Sequence, residues 1–448
     1  MTLSVALVRG KWHSVWESLA CGYLYSYTKD LVELGDYVFF DGYFDSDEEI
    51  IKGCVEADIV GFSGTTSQMP WSLRIASSIK EKNPSTRIYV GGYGPSVDPS
   101  RFIDRVEGVV VGEGETPWHK ILSAYPDEPW GRGQVVMERA IPNLDHIPFP
   151  DRDFIKVERC IAVAKREEGR RVTGILGNRG CLRRCRFCAD GSKLTIYGVK
   201  LRERSPRNIV DEMESVQADW DLDFWKAADP EVNTRGGRSE ELAREMIERK
   251  WNVPWGGNFL ASPVREKEAK MLYDAGCREA WIGLESGNLA VHQHIGKGVS
   301  PNTIRETFAA FKRAGILRRS YVLIGTPPET KETVADTERL IDEVQPDTIS
   351  ITILAPYPGS QYYDPIKHAN LDWSLIDEYG GSNPWASDYL THQELLDERA
   401  RLLEKYGGKL AKIMEKKREL GWLGNVQRGV IAEDEVHLTD FSPDDPRS

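Results

Sequence analysis

Gly180-Cys181-Leu182-Arg183-Arg184-Cys185-Arg186-Phe187-Cys188 stands shortly after the apolar run Val172 to Leu176 and gathers three of the chain's seven cysteines within eight positions. Three thiolates in Cys-x3-Cys-x2-Cys order suit three irons of a cubane 4Fe–4S cluster, and without a fourth cysteine nearby one iron keeps an open position. An open position is what a reacting molecule needs, so the loop points to catalysis. Zinc is the competing reading, since short cysteine-rich tracts also build structural zinc sites. Zinc wants a fourth protein ligand. The next cysteines are Cys160 and Cys277 and the nearest histidines His146 and His292, which makes a closed local site hard to build.

With an aromatic, Phe187, just before its last cysteine, the loop resembles the signature of the radical S-adenosylmethionine (SAM) superfamily. The resemblance implies that Cys181, Cys185 and Cys188 hold the cluster and that the open iron binds the amino and carboxylate groups of SAM. It implies one-electron cleavage of SAM to a 5′-deoxyadenosyl radical that takes hydrogen from substrate, with electrons from an external donor such as ferredoxin or flavodoxin.

Working downstream, the pattern alternates strand and helix, with strands expected over 172–177, 222–228, 254–260, 279–285, 319–325 and 348–354. Ser205-Pro206 and Ser300-Pro301 each place an N-cap hydroxyl before a proline at the first helical position, and Gly276 and Gly315 stand where helices should stop. Six β/α units are too few for a closed eightfold barrel, and they resemble the partial (β/α)6 barrel of the superfamily. Active sites of barrel enzymes lie at the strand C-termini. By resemblance, Asp229 in Ala227-Ala228-Asp229-Pro230 takes the place of the usual Gly-Gly-Glu that holds the methionine amino group. Glu285, with Ser286 after it, would bond the ribose hydroxyls or the methionyl group, and Ile324, Gly325, Leu354 and Phe187 would meet the adenine. The alternative makes Glu285 a helix-start carboxylate stabilised by the macrodipole.

Upstream, strands are expected over 3–9, 37–40, 57–61, 87–91 and 108–112, with helices between them, such as Trp71 to Lys82. Such alternation makes a doubly wound parallel sheet that binds ligands beyond its strand C-termini. Those termini carry Ser63-Gly64-Thr65-Thr66, Gly91-Gly92 and Gly112-Glu113. Taken singly, the glycines are ordinary turn chemistry. Together they resemble the Rossmann-like cobalamin-binding domain that precedes many radical SAM modules, whose pattern is Asp-x-His-x-x-Gly, then Ser-x-Leu or Ser-x-Thr, then Gly-Gly. Ser63-x-Thr65 and Gly91-Gly92 fit that spacing, and by resemblance Ser63, Thr65, Thr66, Gly91, Gly92, Gly112 and Glu113 line the cobalamin groove. The slots of the first motif hold Glu17, Leu19 and Gly22, so the axial histidine is missing. Bound cobalamin is then expected base-off with no protein nitrogen below cobalt, His13 being the alternative ligand.

Ile141 to Arg152 carries three prolines and resembles the connector between the two modules. The expected division is a cobalamin-binding domain over 1–140, a linker over 141–168, the radical SAM partial barrel over 169–360 and a small, mainly helical region over 361–448. In that last part helices are expected from about 392 to 420, followed by an acidic tail with Asp440, Asp444 and Asp445. Tyr362, Tyr363, Trp373 and Tyr379 are candidates to cover a substrate cavity.

A length of 448 residues with 40% hydrophobic composition allows two or three cored domains. No apolar run reaches the ~18 residues that span a bilayer, the N-terminus lacks a basic leader, and the odd cysteine count argues against a disulfide framework, so no membrane and a cytoplasmic location are expected. A net charge of −12 argues against a nucleic-acid partner.

The resemblance implies a C-methyltransferase that makes a substrate radical at an unactivated carbon and delivers a methyl group from methylcobalamin. Its substrate would be a small molecule or a protein residue, such as the glutamine of methyl-coenzyme M reductase. A cyclase or rearranging enzyme with the same cofactors is the alternative, and a non-catalytic cobalamin or iron–sulfur carrier or sensor stands in another class.

Overall fold

The computed structural model describes residues 3–12, 15–31, 34–127, 133–189, 201–262, 264–368, 370–376 and 385–407. The first sheet comprises β1 (Leu3–Arg9), β2 (Leu34–Asp41), β3 (Ile59–Ser63), β4 (Arg87–Gly91), β5 (Gly108–Val110) and β6 (Gln134–Val136). All its pairings are parallel, in the order β2-β1-β3-β4-β5-β6. That order reverses between β1 and β3, and the crevice beyond such a reversal is where doubly wound sheets take ligands. The sixth strand was not expected. At three residues, β6 is too short to show a period.

The second sheet is built from β7 (Val172–Ile175) and, after a small antiparallel pair of β8 (Asn178–Arg179) and β9 (Arg202–Glu203), from β10 (Phe224–Ala227), β11 (Trp255–Phe259), β12 (Cys277–Glu285), β13 (Leu317–Ile324) and β14 (Thr348–Ile353). Its six strands are parallel and follow chain order from β7 to β14, whose outer edges do not pair among the described residues, as in an open barrel. All six overlap the expected runs, since strand-forming stretches and helical segments alternate along the sequence. The capping chemistry also appears in place. Ser205 Oγ accepts from Asn208 N, Ser300 Oγ accepts from Thr303 N, and Gly315 ends its helix at φ +81°.

Residues 141–152 run without long regular structure, but 157–168, assigned to the linker from sequence, form the helix Val157–Glu168, ended by Gly169 at φ +74°. The prolines stop at Pro150, and nothing beyond them opposes a helix until that glycine. The linker is anchored rather than loose: Arg152 donates to Glu212 Oε1 (2.8 Å), Gly174 O (2.9 Å) and Thr173 Oγ1 (2.9 Å), while Arg204 takes the other Glu212 oxygen (2.6 Å). Near the C-terminus the helix His392–Gly407 is present. The expected continuation to 420, the acidic tail, Tyr379 and His13 lie outside the described residues.

Candidate functional site

The cysteine loop leaves β8 and is clamped from two sides. Arg186 N donates to Ile295 O (2.8 Å) and Gln361 N donates to Arg186 O (2.8 Å). Cys188 N donates to Cys185 O (3.1 Å), closing a turn between the second and third thiols, and Arg183 N donates to Cys181 Sγ (3.3 Å). Ionisation of Cys185 opposes that of Cys181, and Cys188 opposes Cys185, so the three sulfurs share one region. Burial first, and the Glu231 carboxylate after it, push the Cys181 thiol up to about 12. Bound iron supplies the charge that makes such thiols ligands. Cys21, Cys54 and Cys277 are buried in the apolar cores, and Cys160 is buried on the helix Val157–Glu168.

Glu231 was not singled out from the sequence, yet its Oε1 accepts from Cys181 Sγ (3.4 Å). Asp229, two residues earlier, is turned elsewhere: its Oδ1 accepts from Gly177 N (2.6 Å) and Asn178 N (2.8 Å), bracing the turn that launches the cysteine loop. Burial pushes the Asp229 carboxyl up to about 7 against those two N–H donors.

Glu285 closes β12 at φ +58°, a conformation costly to a residue with a Cβ and typical of strained functional positions. Its carboxylate pairs with Lys297, whose ammonium also donates to Gly283 O (2.9 Å). Both charges are buried. A Cβ at Gly283 would collide with the Lys297 ammonium and the Glu285 carboxylate, and Gly296 and Gly298, at φ +69° and +70°, turn the chain on either side of Lys297. Three glycines therefore place one ammonium. The Gly-Lys-Gly triplet just before the Ser300-Pro301 cap was the available sign.

Ser286 Oγ hydrogen-bonds with Thr337 Oγ1 (3.1 Å), so its side chain serves the packing of the helix Lys331–Val344. Gly325, at φ +87°, donates its N–H to Glu329 (3.1 Å) and gives its carbonyl to Trp385 Nε1, while Ile324 O accepts from Leu354 N (2.8 Å). Those backbone groups form a bonded floor beside Glu285. Phe187 is half-buried on the cysteine loop.

At the first sheet, the loops after β3, β4 and β5 are laced together. Gly94 N donates to Gly64 O (3.0 Å), Gly64 N to Gly91 O (3.3 Å), and Ser96 Oγ donates to Gly92 O (2.6 Å) while accepting from Gly112 N (3.0 Å). Gly92 sits at φ +92°, and a Cβ there would stand 2.9 Å from both Gly64 N and Gly64 O. Ser63, Thr65 and Thr66 border this strand-end crevice. Of the slots aligned with the missing histidine motif, Leu19 is buried at the start of the helix Leu19–Thr28. Glu17 accepts from Gly174 N and Thr173 Oγ1, and Gly22 packs against Pro150 and Asp151. These positions join the two sheets.

Glu113 is engaged in the same way. It pairs with Arg179 (3.1 Å) and Arg202, while Glu115 takes the other arm of Arg179 (2.6 Å). Ser67 Oγ donates to Ile376 O (3.1 Å) and Arg101 donates to Tyr363 OH (3.3 Å). Loops beyond the C-terminal ends of β3, β4 and β5 thus bond to loops beyond the C-terminal ends of β7 and β14. The ligand-binding edges of the two sheets face one another. Tyr363 and Trp373 lie in this seam, with ring centroids 5.9 Å apart, and Tyr362 stacks on His294 at 5.8 Å.

The donor sets fit the expected groups. Three thiols on one clamped loop suit a cluster with one open iron, the strained Glu285 beside them suits a polar cosubstrate, and the close glycine crevice after β3 and β4 suits cobalamin. Residues 2–122 match the B12 binding domain, and residues 175–341 match the Radical SAM superfamily. The chain belongs to the cobalamin-dependent radical SAM family. An uncharacterised methyltransferase of Pyrococcus horikoshii is 25% identical over 74% of this chain and 74% of its own length. An anaerobic magnesium-protoporphyrin IX monomethyl ester cyclase of Rubrivivax gelatinosus is 25% identical over 90% of this chain and 74% of its own. Among solved structures, the radical S-adenosylmethionine methyltransferase TsrM from Kitasatospora setae, with cobalamin and a 4Fe–4S cluster bound, superposes with a TM-score of 0.65, covering 81% of this chain and 77% of that one at 19% identity. The chain thus joins a sheet matched by the B12 binding domain to one matched by the Radical SAM superfamily. No helix among the described residues is long and apolar enough to cross a membrane.

Proposed function

We propose that this radical SAM enzyme is a C-methyltransferase acting on an unactivated carbon of a small molecule or a protein residue. The observation that carries the reading is the facing of the two strand-end edges, with Glu113 and Glu115 of the first sheet bonded to Arg179 and Arg202 at the mouth of the second. When bound, the cluster with SAM supplies a hydrogen-abstracting radical and cobalamin supplies a methyl group, and the two reagents need one shared space. Cys181, Cys185 and Cys188 would hold the cluster. Glu285, fixed by Lys297, would accept hydrogen bonds from SAM, and its position next to the cysteine loop orients the cosubstrate there. Ser63, Thr65, Gly91 and Gly92 would hold cobalamin, with Gly92 letting the loops close. Tyr362, Tyr363 and Trp373 would shield the reaction from water.

The likeness to the Rubrivivax gelatinosus cyclase over 90% of the chain favours a second reading, ring formation with the same cofactors and no methyl transfer. A substrate-free assay separates the two. Anaerobic, reconstituted protein is given SAM and dithionite, and both nucleoside products are counted. A methyltransferase forms about one equivalent of S-adenosylhomocysteine per cobalamin beside 5′-deoxyadenosine. Abundant 5′-deoxyadenosine without S-adenosylhomocysteine would turn the assignment to the cyclase.

A further inference from the structure

Among the described residues, eleven buried side-chain nitrogens and oxygens have no hydrogen-bond partner, and five of them gather at one mouth: His294 Nε2, Ser360 Oγ, Tyr362 OH, His368 Nε2 and Trp373 Nε1. Four stand on the chain that follows β14, at the C-terminal end of the second sheet, and the Tyr362 ring stacks on the fifth, His294. Ser360, His368 and Trp373 are 7%, 5% and 2% exposed. A buried polar group without a partner is costly, and native chains rarely keep one without a use. Several at one mouth call for a molecule that brings acceptors.

Two of the five can only donate. Trp373 Nε1 has no lone pair to offer. His368 Nδ1 accepts from Asp364 N (2.9 Å), which leaves the ring proton on Nε2, and burial, with Lys367 beside it, lowers the imidazole pKa so that the ring stays neutral. Both rings flank Tyr363, with centroids 5.7 Å away for His368 and 5.9 Å for Trp373. Positive charge borders them, since Arg101 lies over the Trp373 ring at 5.6 Å and donates to Tyr363 OH (3.3 Å). The carboxylates nearby are engaged: Asp98 takes Arg101 (2.7 Å), Asp364 accepts from Ile366 N and Lys367 N, and Asp388 opposes Arg186 at His294. Ser67 Oγ, beyond β3, donates to Ile376 O (3.1 Å), so the cluster lies between the cysteine loop and the glycine crevice of the first sheet.

We propose that this cluster binds the methyl acceptor and that the acceptor is a small aromatic carboxylate. Its carboxylate oxygens accept from Trp373 Nε1 and His368 Nε2, and its ring packs against the Tyr362–His294 stack. Hydrogen bonds to a charged acceptor are stronger than neutral ones, and Arg101 adds to the preference for an anion. Loops of both sheets close around the cluster, which suits a free molecule better than a segment of a folded chain. The inference rests on the methyltransferase reading only in calling the ligand the methyl acceptor.

The test titrates the reconstituted holoenzyme, in the presence of SAM, with three probes by isothermal calorimetry: 3-phenylpropionate, its neutral analogue 3-phenylpropanol, and hexanoate, which has the charge without the ring. The wild type should bind 3-phenylpropionate at least about tenfold more tightly than either of the others. Trp373→Phe keeps the ring and loses the N–H, and His368→Asn keeps an acceptor for Asp364 N while losing Nε2. Each should weaken 3-phenylpropionate by about tenfold and leave 3-phenylpropanol within about twofold of the wild type, which a merely structural loss would not do. Equal binding of the acid and the alcohol by the wild type would overturn the proposal, as would binding of none of the three. Unchanged binding of the acid in either variant would overturn it too. A wild type that binds the acid as expected but forms no S-adenosylhomocysteine from SAM would defeat the methyltransferase reading and leave the carboxylate site standing.

Discussion

Lys297 and Glu285 form a buried ion pair, and such pairs are most sensitive to losing one member. Lys297→Met leaves the Glu285 carboxylate buried and uncompensated, which should cost ~3–5 kcal/mol. Lys297→Met/Glu285→Gln removes both charges and should regain most of that loss. Urea unfolding of the metal-free protein measures both, and equal stability of single variant and wild type would show that Glu285 is neutralised elsewhere. Asp229 gives a pH signature. Burial pushes its folded carboxyl up to about 7 from an ordinary value of 3.8, so between those values the folded chain holds a proton that the unfolded chain has released. Stability contributed at this site is therefore highest at low pH and falls as pH rises through the window, by up to ~1.4 kcal/mol per unit. Asp229→Asn keeps an acceptor for Gly177 N and Asn178 N but cannot ionise, so it should lose less stability than the wild type between pH 4.5 and 7. Parallel pH profiles for the two proteins would place the Asp229 pKa at its ordinary value.

At the scale of elements, the loops after β3 and β4 depend on a single glycine. Gly92→Ala puts a methyl group against the Gly64 backbone and forces a residue with a Cβ into φ +92°, at a cost of ~1–3 kcal/mol. The sheet should persist while the crevice opens, so far-ultraviolet circular dichroism should be retained and cobalamin uptake, followed by visible absorption, should fall by at least about tenfold. Full uptake would move the cofactor away from these loops. The same elements show what could be read in advance. The strands of the second sheet were legible because they alternate with helical segments bounded by Ser-Pro caps and glycine stops, and the cysteine loop because its spacing has few meanings. The helix Val157–Glu168 was hidden by the proline-rich stretch before it, and β6, β8 and β9 are too short to carry a pattern. Glu231 and Lys297 escaped because their roles arise from tertiary approach: one faces a cysteine fifty positions away in the chain, and the other reaches back to a strand end. Glu113 stood at a strand end, as a cofactor contact should, yet its arginine partners come from the small β8–β9 pair at the mouth of the second sheet.

For the whole molecule, what matters is how the two sheets are joined. The linker is fixed by Arg152 and Glu212, the mouths by Glu113, Glu115, Arg179 and Arg202, and the seam by Ser67 and Ile376. Glu113→Gln and Arg202→Met should each loosen the joint, and in a double-mutant cycle they should couple by ~0.5–3 kcal/mol in unfolding free energy. Additive losses would mean that the bridge does not hold the sheets together. The account's central claim is that both strand-end edges open on one shared space, and magnetic coupling tests it most directly. Protein loaded with cobalamin and the cluster is poised so that cob(II)alamin and the reduced cluster, both paramagnetic, are present together, and its electron paramagnetic resonance spectrum is compared with that of each centre alone. A spectrum split or broadened by the dipolar interaction of the two spins is the predicted result, whereas a simple sum of the two separate signals would contradict it.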